Sequence, residues 1–286
     1  MNIAALDTTS RESEETFLGH DGLRLNLRSW RPAETPRASL VIIHGFKAHS
    51  GQYSASARQL VQAGVAVYAL DLRGHGKSDG ERFWVDEFSD YVADLEQLVR
   101  LVRDRQPNAP LFLLGHSVGG VVASLFALEY PSQLAGLITE SFAFELPPPS
   151  IALALMKGLD HVAPRAKVLA LKDEDFSRDP AVVASMKADP LITQSPGPTH
   201  TLAEMIRAGE KLRKNLAVIS TPVLVLHGTA DRATRPSGSQ HFFDGVGSVD
   251  KTLELYEDGV HDLLHDLDKV RVLADIIEWI GMRIPS

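Results

Sequence analysis

Five continuous apolar runs recur along the chain, each bounded by turn residues. They span residues 40–43, 65–70, 111–114, 134–139 and 223–226. Strands that are apolar at every position are typical of a parallel sheet covered by helices on both faces. Segments with the apolar spacing of helices occupy 53–63, 88–103, 118–129 and 270–280. This alternation predicts an α/β fold with a doubly wound, mostly parallel central sheet.

The N-terminal part of the chain predicts an antiparallel edge for that sheet. Residues 16–19 and 23–30 form two short runs on either side of Asp21-Gly22. Asp-Gly between such runs is favoured in the tight turns of β-hairpins. We therefore expect the first two strands to pair as a hairpin.

One region breaks the alternation of strands and helices. From about 142 to 216 there is no convincing buried strand, but there are three consecutive prolines, a charged run and several helical segments. Connections of this length inside compact domains are usually functional lids. We therefore predict one α/β core formed by residues 1–141 and 217–286, with residues 142–216 inserted as a helical cap.

The composition excludes several classes of protein. The formal net charge is −8 and no long basic run occurs, so no nucleic-acid partner is expected. The absence of cysteine excludes disulfides, cysteine metal ligands and a thiol nucleophile. Residues 1–15 lack the apolar core of a secretory signal, and no run of about 18 apolar residues occurs. We therefore expect a cytoplasmic protein.

The strongest local signal is the sequence Gly-His-Ser-Val-Gly at 115–119. It follows the apolar run 111–114 and precedes the helical segment 118–129. Gly-x-Ser-x-Gly between a strand and a helix indicates a nucleophile elbow, the sharp turn that exposes a serine Oγ in the α/β-hydrolase fold. Ser117 is thus the candidate nucleophile.

A serine hydroxyl needs a neighbouring base to become an effective nucleophile. In this fold the acid and then the histidine follow the serine along the chain, each after a strand. Asp231 follows the strand-like segment 222–226, and His261 follows 253–256. We predict His261 as the base and Asp231 as the acid that orients it. A histidine base predicts activity that rises through an apparent pKa of about 6 to 7.

Three alternatives to these assignments stay open. Glu140 ends the strand after the nucleophile helix, where some proteins of this fold carry their acid. His265 lies about one helical turn after His261 and competes with it as the base. His261 and His265 together also resemble the zinc-binding His-Glu-x-x-His motif, although aspartate replaces the glutamate and the preceding Gly-Val indicates a loop. We favour Asp231 and His261, and expect no metal.

Hydrolysis through a serine also needs two N–H donors for the developing oxyanion. The N–H of Val118, the residue after the nucleophile, is one candidate. The Phe46 N–H, in the loop after the first buried parallel strand, is the other. Three loop histidines are expected to brace these loops rather than to catalyse: His44, His49 and His75.

Four motifs together resemble those of one family. Residues 44–53 resemble its HGxxxHSxxY loop, 71–80 its DxRGHGxSxG turn, 115–120 its GHSxGG elbow, and 222–231 its PxLxLHGxxD acid loop. This family is the monoacylglycerol lipase, or lysophospholipase-like, family of α/β-hydrolases, and the similarity extends from about residue 15 to 280.

The resemblance implies a catalytic triad, two oxyanion donors and no cofactor. The triad would be Ser117, Asp231 and His261, with Phe46 and Val118 as the donors. Two departures stand out. Val118 replaces a common methionine, which leaves the backbone donor intact, and residues 140–144 lack the usual Ser/Ala-Pro start at the entrance of the cap.

Three functions are weighed on this basis. The favoured one is a serine carboxylic-ester hydrolase for single-chain acyl esters, of monoacylglycerol or lysophospholipid type, acting through an acyl-enzyme. An esterase for short-chain or aromatic esters is the alternative, and a non-catalytic ligand-binding homologue is a third.

The predicted cap contains one segment that bears on lipid substrates. Residues 151–159 are almost wholly apolar, so a helix there would carry apolar side chains on nearly every face. Either it is buried between cap and core, or it lines an acyl tunnel and makes transient contact with a lipid surface.

Overall fold

An eight-stranded sheet forms the centre of the protein. The computed structural model describes residues 10–284. The strands of this sheet are β1 (Ser10–Leu18), β2 (Arg24–Pro32), β3 (Ala38–Ile43), β4 (Val65–Leu70), β5 (Leu111–His116), β6 (Gly136–Glu140), β9 (Val223–Gly228) and β10 (Lys251–Tyr256). Their spatial order is β1-β2-β4-β3-β5-β6-β9-β10. The pairs β1–β2 and β2–β4 are antiparallel and the others are parallel, which confirms the predicted fold class and the N-terminal hairpin.

Helices cover both faces of the sheet. They are α1 (Ser54–Gln62), α2 (Phe88–Arg105), α3 (Val118–Glu129), α4 (Ser150–Asp160), α5 (Pro180–Ala188), α6 (Thr199–Lys214), α7 (Pro236–Gly245) and α8 (Lys269–Gly281). Apolar side chains of α2, α3 and α7 pack on one face, and those of α1 and α8 pack on the other. Across residues 10–284, no helix combines the length and apolarity needed to cross a bilayer.

The parallel register brings the ends of the inner strands to one edge. His116 at the end of β5 is paired with Glu140 at the end of β6, and Glu140 is paired with Leu226 in β9. Tyr256 at the end of β10 is paired with Gly228. The loops that follow these strands therefore meet at the carboxyl edge of the sheet, where ligands bind in open α/β folds.

The chain between β6 and β9 contains α4, α5 and α6, together with two short strands. These strands, β7 (Lys167–Leu169) and β8 (Gly197–Pro198), form an antiparallel pair that the sequence analysis did not predict. Segments of three and two residues are too short to show an alternating pattern. The helix α7 was also not predicted, because its glycine and serine residues are typical of turns.

The apolar helix α4 is not buried between cap and core. Ile151 and Leu155 are 75% and 67% exposed, and Asp160 is the only buried residue of the helix. The helix packs against α6, and Lys157 forms an ion pair with Glu210 at 2.5 Å. The interpretation of a buried helix is therefore wrong for its outer side.

Candidate active site

Ser117 occupies a sharp turn between β5 and α3. Its backbone has φ 54° and ψ −119°, a left-handed conformation that is strained for a residue with a side chain. A Cβ at Gly119 would collide with the carbonyl oxygen of Ile43 in the neighbouring strand. The glycine thus lets the first turn of α3 lie against the sheet, and the strained turn presents the Ser117 Oγ at the sheet edge.

The three predicted triad residues come together at this edge. Ser117 Oγ lies 3.0 Å from His261 Nε2, and His261 Nδ1 lies 2.9 Å from Asp231 Oδ2. The side chains of His261 and Asp231 are 1% and 0% exposed. A hydroxyl, an imidazole and a carboxylate therefore form one continuous hydrogen-bonded line that is shielded from solvent.

Several donors hold the Asp231 carboxylate in place. Its Oδ1 accepts hydrogen bonds from the backbone N–H groups of Ala233 and Thr234, at 2.8 and 3.0 Å. Its Oδ2 accepts the Thr234 hydroxyl at 2.8 Å and lies 3.1 Å from His227 Nε2. Burial alone would raise the pKa of Asp231, but His261 and His227 outweigh it and hold the pKa far below its ordinary value. The carboxylate is ionised throughout the physiological range.

Thr234 and His227 were missed by the sequence analysis. A recognisable signal exists for Thr234, because an aspartate that accepts the N–H groups two and three residues later forms a common local turn. The contact of His227 with Asp231 depends on the course of the loop after β9, and its own Nδ1 lies 2.6 Å from the Ser239 Oγ in α7. The acid-loop motif at 222–231 contains His227, but no local pattern encodes its contact with Ser239.

The pKa of His261 is raised above the ordinary histidine value of 6.5. Burial opposes protonation of the ring, but the Asp231 carboxylate attracts the proton more strongly. If neutral His261 is the active form, we expect kcat/KM to rise with pH, with its half-maximum above 6.5. A pH–rate profile on an uncharged ester measures this directly. Activity that stays constant down to pH values well below 6 would contradict the prediction.

The two predicted oxyanion donors have no competing acceptor. Within residues 10–284, neither the Phe46 N–H nor the Val118 N–H donates a hydrogen bond to another protein group. The loop carrying Phe46 lies directly against the elbow, since a Cβ at Gly45 would be 2.8 Å from the Ser117 Cβ. The predicted role as oxyanion donors requires N–H groups that bind no protein acceptor, and both meet that requirement.

Buried neutral histidines brace the Phe46 loop. His44 Nε2 accepts the Leu72 N–H at 2.9 Å, while its Nδ1 donates to the Gly45 carbonyl at 2.7 Å. Burial lowers the pKa of His44 to about 3 and that of His75 to about 4, so both rings are neutral at working pH. His75 Nδ1 bonds the Arg73 carbonyl at 3.0 Å. These contacts are those of bracing residues.

The rival acid Glu140 is not placed behind His261. Its Oε1 accepts the Leu264 N–H at 3.1 Å, and no hydrogen bond joins it to the His261 ring within the described residues. Burial, reinforced by the Asp262 carboxylate, raises the pKa of Glu140 to about 8. A carboxyl group that is largely neutral near pH 7 cannot supply the fixed charge that a triad acid needs.

Both ring nitrogens of the rival base His265 contact groups other than the serine. Its Nδ1 lies 2.7 Å from Asp262 Oδ1, and its Nε2 lies 2.9 Å from the Gln52 carbonyl oxygen. Burial opposes protonation, but Asp262 raises the pKa of His265 to about 9, which makes it a cation rather than a base at neutral pH. Neither His261 nor His265 joins a cluster of potential metal ligands in the described part of the chain.

A cavity of about 380 Å³ opens onto the triad. Ser117 and His261 lie in its wall, together with Phe46. Most of the remaining lining is apolar and comes from the segment between β6 and β9, including Leu146, Ala152, Leu153, Met156, Leu169, Leu171, Leu202 and Met205. Its volume falls in the range of small-molecule sites, about 300–1,000 Å³.

A second cavity of about 460 Å³ borders the first. Its lining includes none of the three predicted triad residues, and five residues line both cavities: Ala143, Leu146, Pro148, Leu153 and Met205. Charged side chains, among them Arg213 and Glu210, form part of its wall. Of these two cavities, only the smaller one is lined by Ser117 and His261.

Comparison with known proteins gives a consistent set of similarities. The model of the family described as serine aminopeptidase, S33, matches residues 34–268. A monoacylglycerol lipase of Mycolicibacterium smegmatis is 33% identical over 274 residues, which cover 95% of this chain and 98% of that protein. A monoglyceride lipase of Rattus norvegicus is 34% identical and covers 92% of this chain and 89% of its own length. The crystal structure of Paleococcus ferrophilus monoacylglycerol lipase has a TM-score of 0.80 at 28% identity, covering 96% of this chain and 99% of that one.

Proposed function

Because the chain belongs to the serine aminopeptidase S33 family of hydrolases, and within it to the monoacylglycerol lipases, we propose that it hydrolyses single-chain acyl esters through Ser117. Membership of that family makes the chain a hydrolase of esters and confirms the resemblance drawn from its four motifs. The observation that carries the mechanism is the hydrogen-bonded line from Ser117 through His261 to Asp231, beside an apolar cavity.

The first half of the proposed reaction acylates the enzyme. Ser117 Oγ attacks the ester carbonyl carbon while His261 Nε2 takes its proton, and the carbonyl oxygen becomes an oxyanion. The N–H groups of Phe46 and Val118 donate to that oxygen. When the tetrahedral intermediate collapses, the bond to the alcohol breaks, and His261 gives the proton to the departing alcohol oxygen.

The second half returns the enzyme to its starting state. A water molecule loses a proton to His261 and attacks the acyl carbon, and the second oxyanion uses the same two donors. Its collapse releases the fatty acid and returns the proton to Ser117 Oγ. Asp231 holds the Nδ1–H tautomer of His261 and stabilises the imidazolium in both halves.

The acyl chain is assigned to the 380 Å³ cavity, with residues 142–216 acting as the cap above it. Ala152 lines this cavity, whereas Ala154 on the same helix lines only the second one. We expect Ala152→Trp to shift the preferred substrate towards shorter acyl chains, because the indole fills space that a chain would occupy. Ala154→Trp is the matched control and leaves the preference unchanged. kcat/KM across p-nitrophenyl esters from acetate to palmitate measures both.

The series of p-nitrophenyl esters, measured on the unaltered protein, tests the preferred acyl chain. Hydrolysis of monoacylglycerols and lysophospholipids, measured in parallel, identifies the preferred alcohol. An optimum at acetate or butyrate, or a preference for aromatic acyl groups, would favour the alternative esterase. No turnover of any ester, together with no labelling by a fluorophosphonate, would favour a non-catalytic ligand-binding protein.

Transient contact with a lipid surface is proposed for the outer side of α4. Ile151 and Leu155 lie four residues apart, hence on one side of the helix, and are 75% and 67% exposed. We expect the double variant Ile151→Ser/Leu155→Ser to lose binding to phosphatidylcholine vesicles in a sedimentation assay. Val249→Ser is the control. Val249 is fully exposed but precedes the amino-terminal end of β10, whereas the predicted triad lies at the carboxyl ends of the strands. Equal vesicle binding by all three proteins would contradict the proposal.

The cytoplasmic location stays a prediction of the sequence analysis.

A further inference from the structure

Lys47, the residue directly after the proposed oxyanion donor Phe46, has an unusual backbone conformation. Its φ is 62°, in the left-handed region that residues other than glycine rarely adopt. Such conformations persist only where the surrounding structure holds them, and they cluster at functional sites. The contacts of the Lys47 side chain therefore bear on the oxyanion loop.

The Lys47 side chain forms a buried ion pair with the cap. Its Nζ donates to Asp173 Oδ1 at 2.6 Å and to the Leu171 carbonyl oxygen at 3.2 Å. The two charged side chains are only 8% and 7% exposed. Because either charge alone would be costly to bury, the pair fixes both side chains strongly against each other.

This ion pair connects the oxyanion loop to the wall of the catalytic cavity. Leu171, whose carbonyl accepts Lys47, lines that cavity together with Phe46. The Phe46 ring also packs against Phe83, with ring centroids 4.3 Å apart, and against His75 at 5.4 Å. The Phe46 ring also lies close to Gly197 of the cap, so both side chains of the Phe46–Lys47 segment contact the cap, and only that of Lys47 does so through an ion pair.

We propose that Lys47 is a positioning residue: its buried ion pair with Asp173 holds the strained peptide segment that aims the Phe46 N–H at the oxyanion. The inference rests on the proposed function. In this arrangement the cap shapes the cavity and also sets the geometry of one oxyanion donor. Without the ion pair, the backbone at Lys47 relaxes from the left-handed conformation and the Phe46 N–H turns away from Ser117.

A second tether between the same loop and the cap provides a control. His49 Nε2 lies 2.9 Å from Asp189 Oδ2, and Asp189 is 25% exposed. This contact also joins loop to cap, but it is made by a residue three positions after Phe46, outside the Phe46–Lys47 segment. If only general anchoring of the cap mattered, loss of either tether would have the same effect.

The test compares kcat and KM for Lys47→Met, Asp173→Asn and the double variant in the full-length protein. We expect both single variants to lower kcat by about 10- to 100-fold, because the oxyanion hole acts only in the transition state, and to change KM by less than about threefold. The affinity for an alkyl boronic acid, which mimics the tetrahedral intermediate, falls in parallel. The double variant resembles Lys47→Met, since both changes break one interaction.

Two further variants separate positioning from a structural role. Lys47→Gly removes the ion pair but adopts a positive φ without strain, so we expect it to recover part of the kcat lost in Lys47→Met. Asp189→Asn leaves kcat within about twofold of the original. If Lys47→Met does not fold, Asp173→Asn and Lys47→Gly carry the comparison.

Three results would overturn the inference. The first is an unchanged kcat in Asp173→Asn and Lys47→Met. The second is a change in these variants that raises KM but leaves kcat unaltered. The third is a decrease of kcat in Asp189→Asn as large as that in Asp173→Asn. Failure of the proposed function would look different, because either the unaltered protein would turn over no ester or Ser117→Ala would retain full turnover. Failure of this inference alone leaves Ser117→Ala inactive while the Lys47 variants stay active.

Discussion

Replacing Ser117 by alanine is expected to lower kcat by about 10⁴-fold or more. The variant keeps the elbow and the two oxyanion N–H groups but has no oxygen that can form the acyl-enzyme. Because members of a triad act as a unit, His261 and Asp231 contribute little once the nucleophile is gone. Steady-state hydrolysis of a p-nitrophenyl ester gives the size of the loss, and labelling by a fluorophosphonate should disappear with it.

Ser124→Ala is the matched control for that variant. Ser124 lies in α3, the helix that follows Ser117, and its buried hydroxyl has no hydrogen-bond partner within the described residues. Removing it breaks no interaction, so activity and the thermal unfolding midpoint should match those of the original protein. Normal turnover by Ser117→Ala would refute the proposed mechanism, whereas parallel losses in both serine variants would indicate damage to the helix.

Asp231→Asn is expected to lower kcat by about 10⁴-fold. The asparagine oxygen can still accept the N–H groups of Ala233 and Thr234, which leaves the amide NH₂ facing His261 Nδ1. To accept from that group, the ring must carry its proton on Nε2 instead, and Nε2–H cannot take the proton of Ser117. The positions of the three side chains are therefore kept, but His261 is held in the tautomer that cannot act as a base.

Glu140→Gln separates the two candidate acids. Glutamine keeps an oxygen that can accept the Leu264 N–H, and Glu140 is largely neutral near pH 7, so the change removes little charge. We expect its kcat to stay within about tenfold of the original at pH 7. The kcat values of Asp231→Asn and Glu140→Gln are measured with the same ester, together with the thermal unfolding midpoint of each variant. The opposite ranking, with Glu140→Gln the more damaged, would assign the acid to Glu140.

The spacing of apolar residues predicted most of the core strands and helices, but not their exact ends. The continuous apolar runs predicted the inner strands, and α3 begins and ends at the residues expected from its spacing. Strands such as β5 extend past their apolar run to His116, because hydrogen bonding to neighbours continues where hydrophobicity stops. Short or turn-like segments, such as β7, β8 and α7, carry no periodic signal and were not predicted.

Local patterns also proposed the candidate site but left its alternatives open. Two acids and two histidines satisfied the order along the chain. Only the tertiary structure shows that Asp231 contacts His261 while Glu140 binds the Leu264 N–H. The exposure of α4 was equally undecided, because an apolar sequence does not state what packs against it.

By itself, then, the sequence determined the α/β sheet, the strand–turn–helix around Ser117 and a short set of partners for it. These features depend on residues that are near one another along the chain, where side-chain spacing and glycine conformations act directly. The tertiary structure alone decided the choice of acid, the walls of the cavity and the ion pair between Lys47 and Asp173, which are 126 residues apart. Such contacts depend on how separate elements pack, and packing is set by the whole chain rather than by any local run of residues.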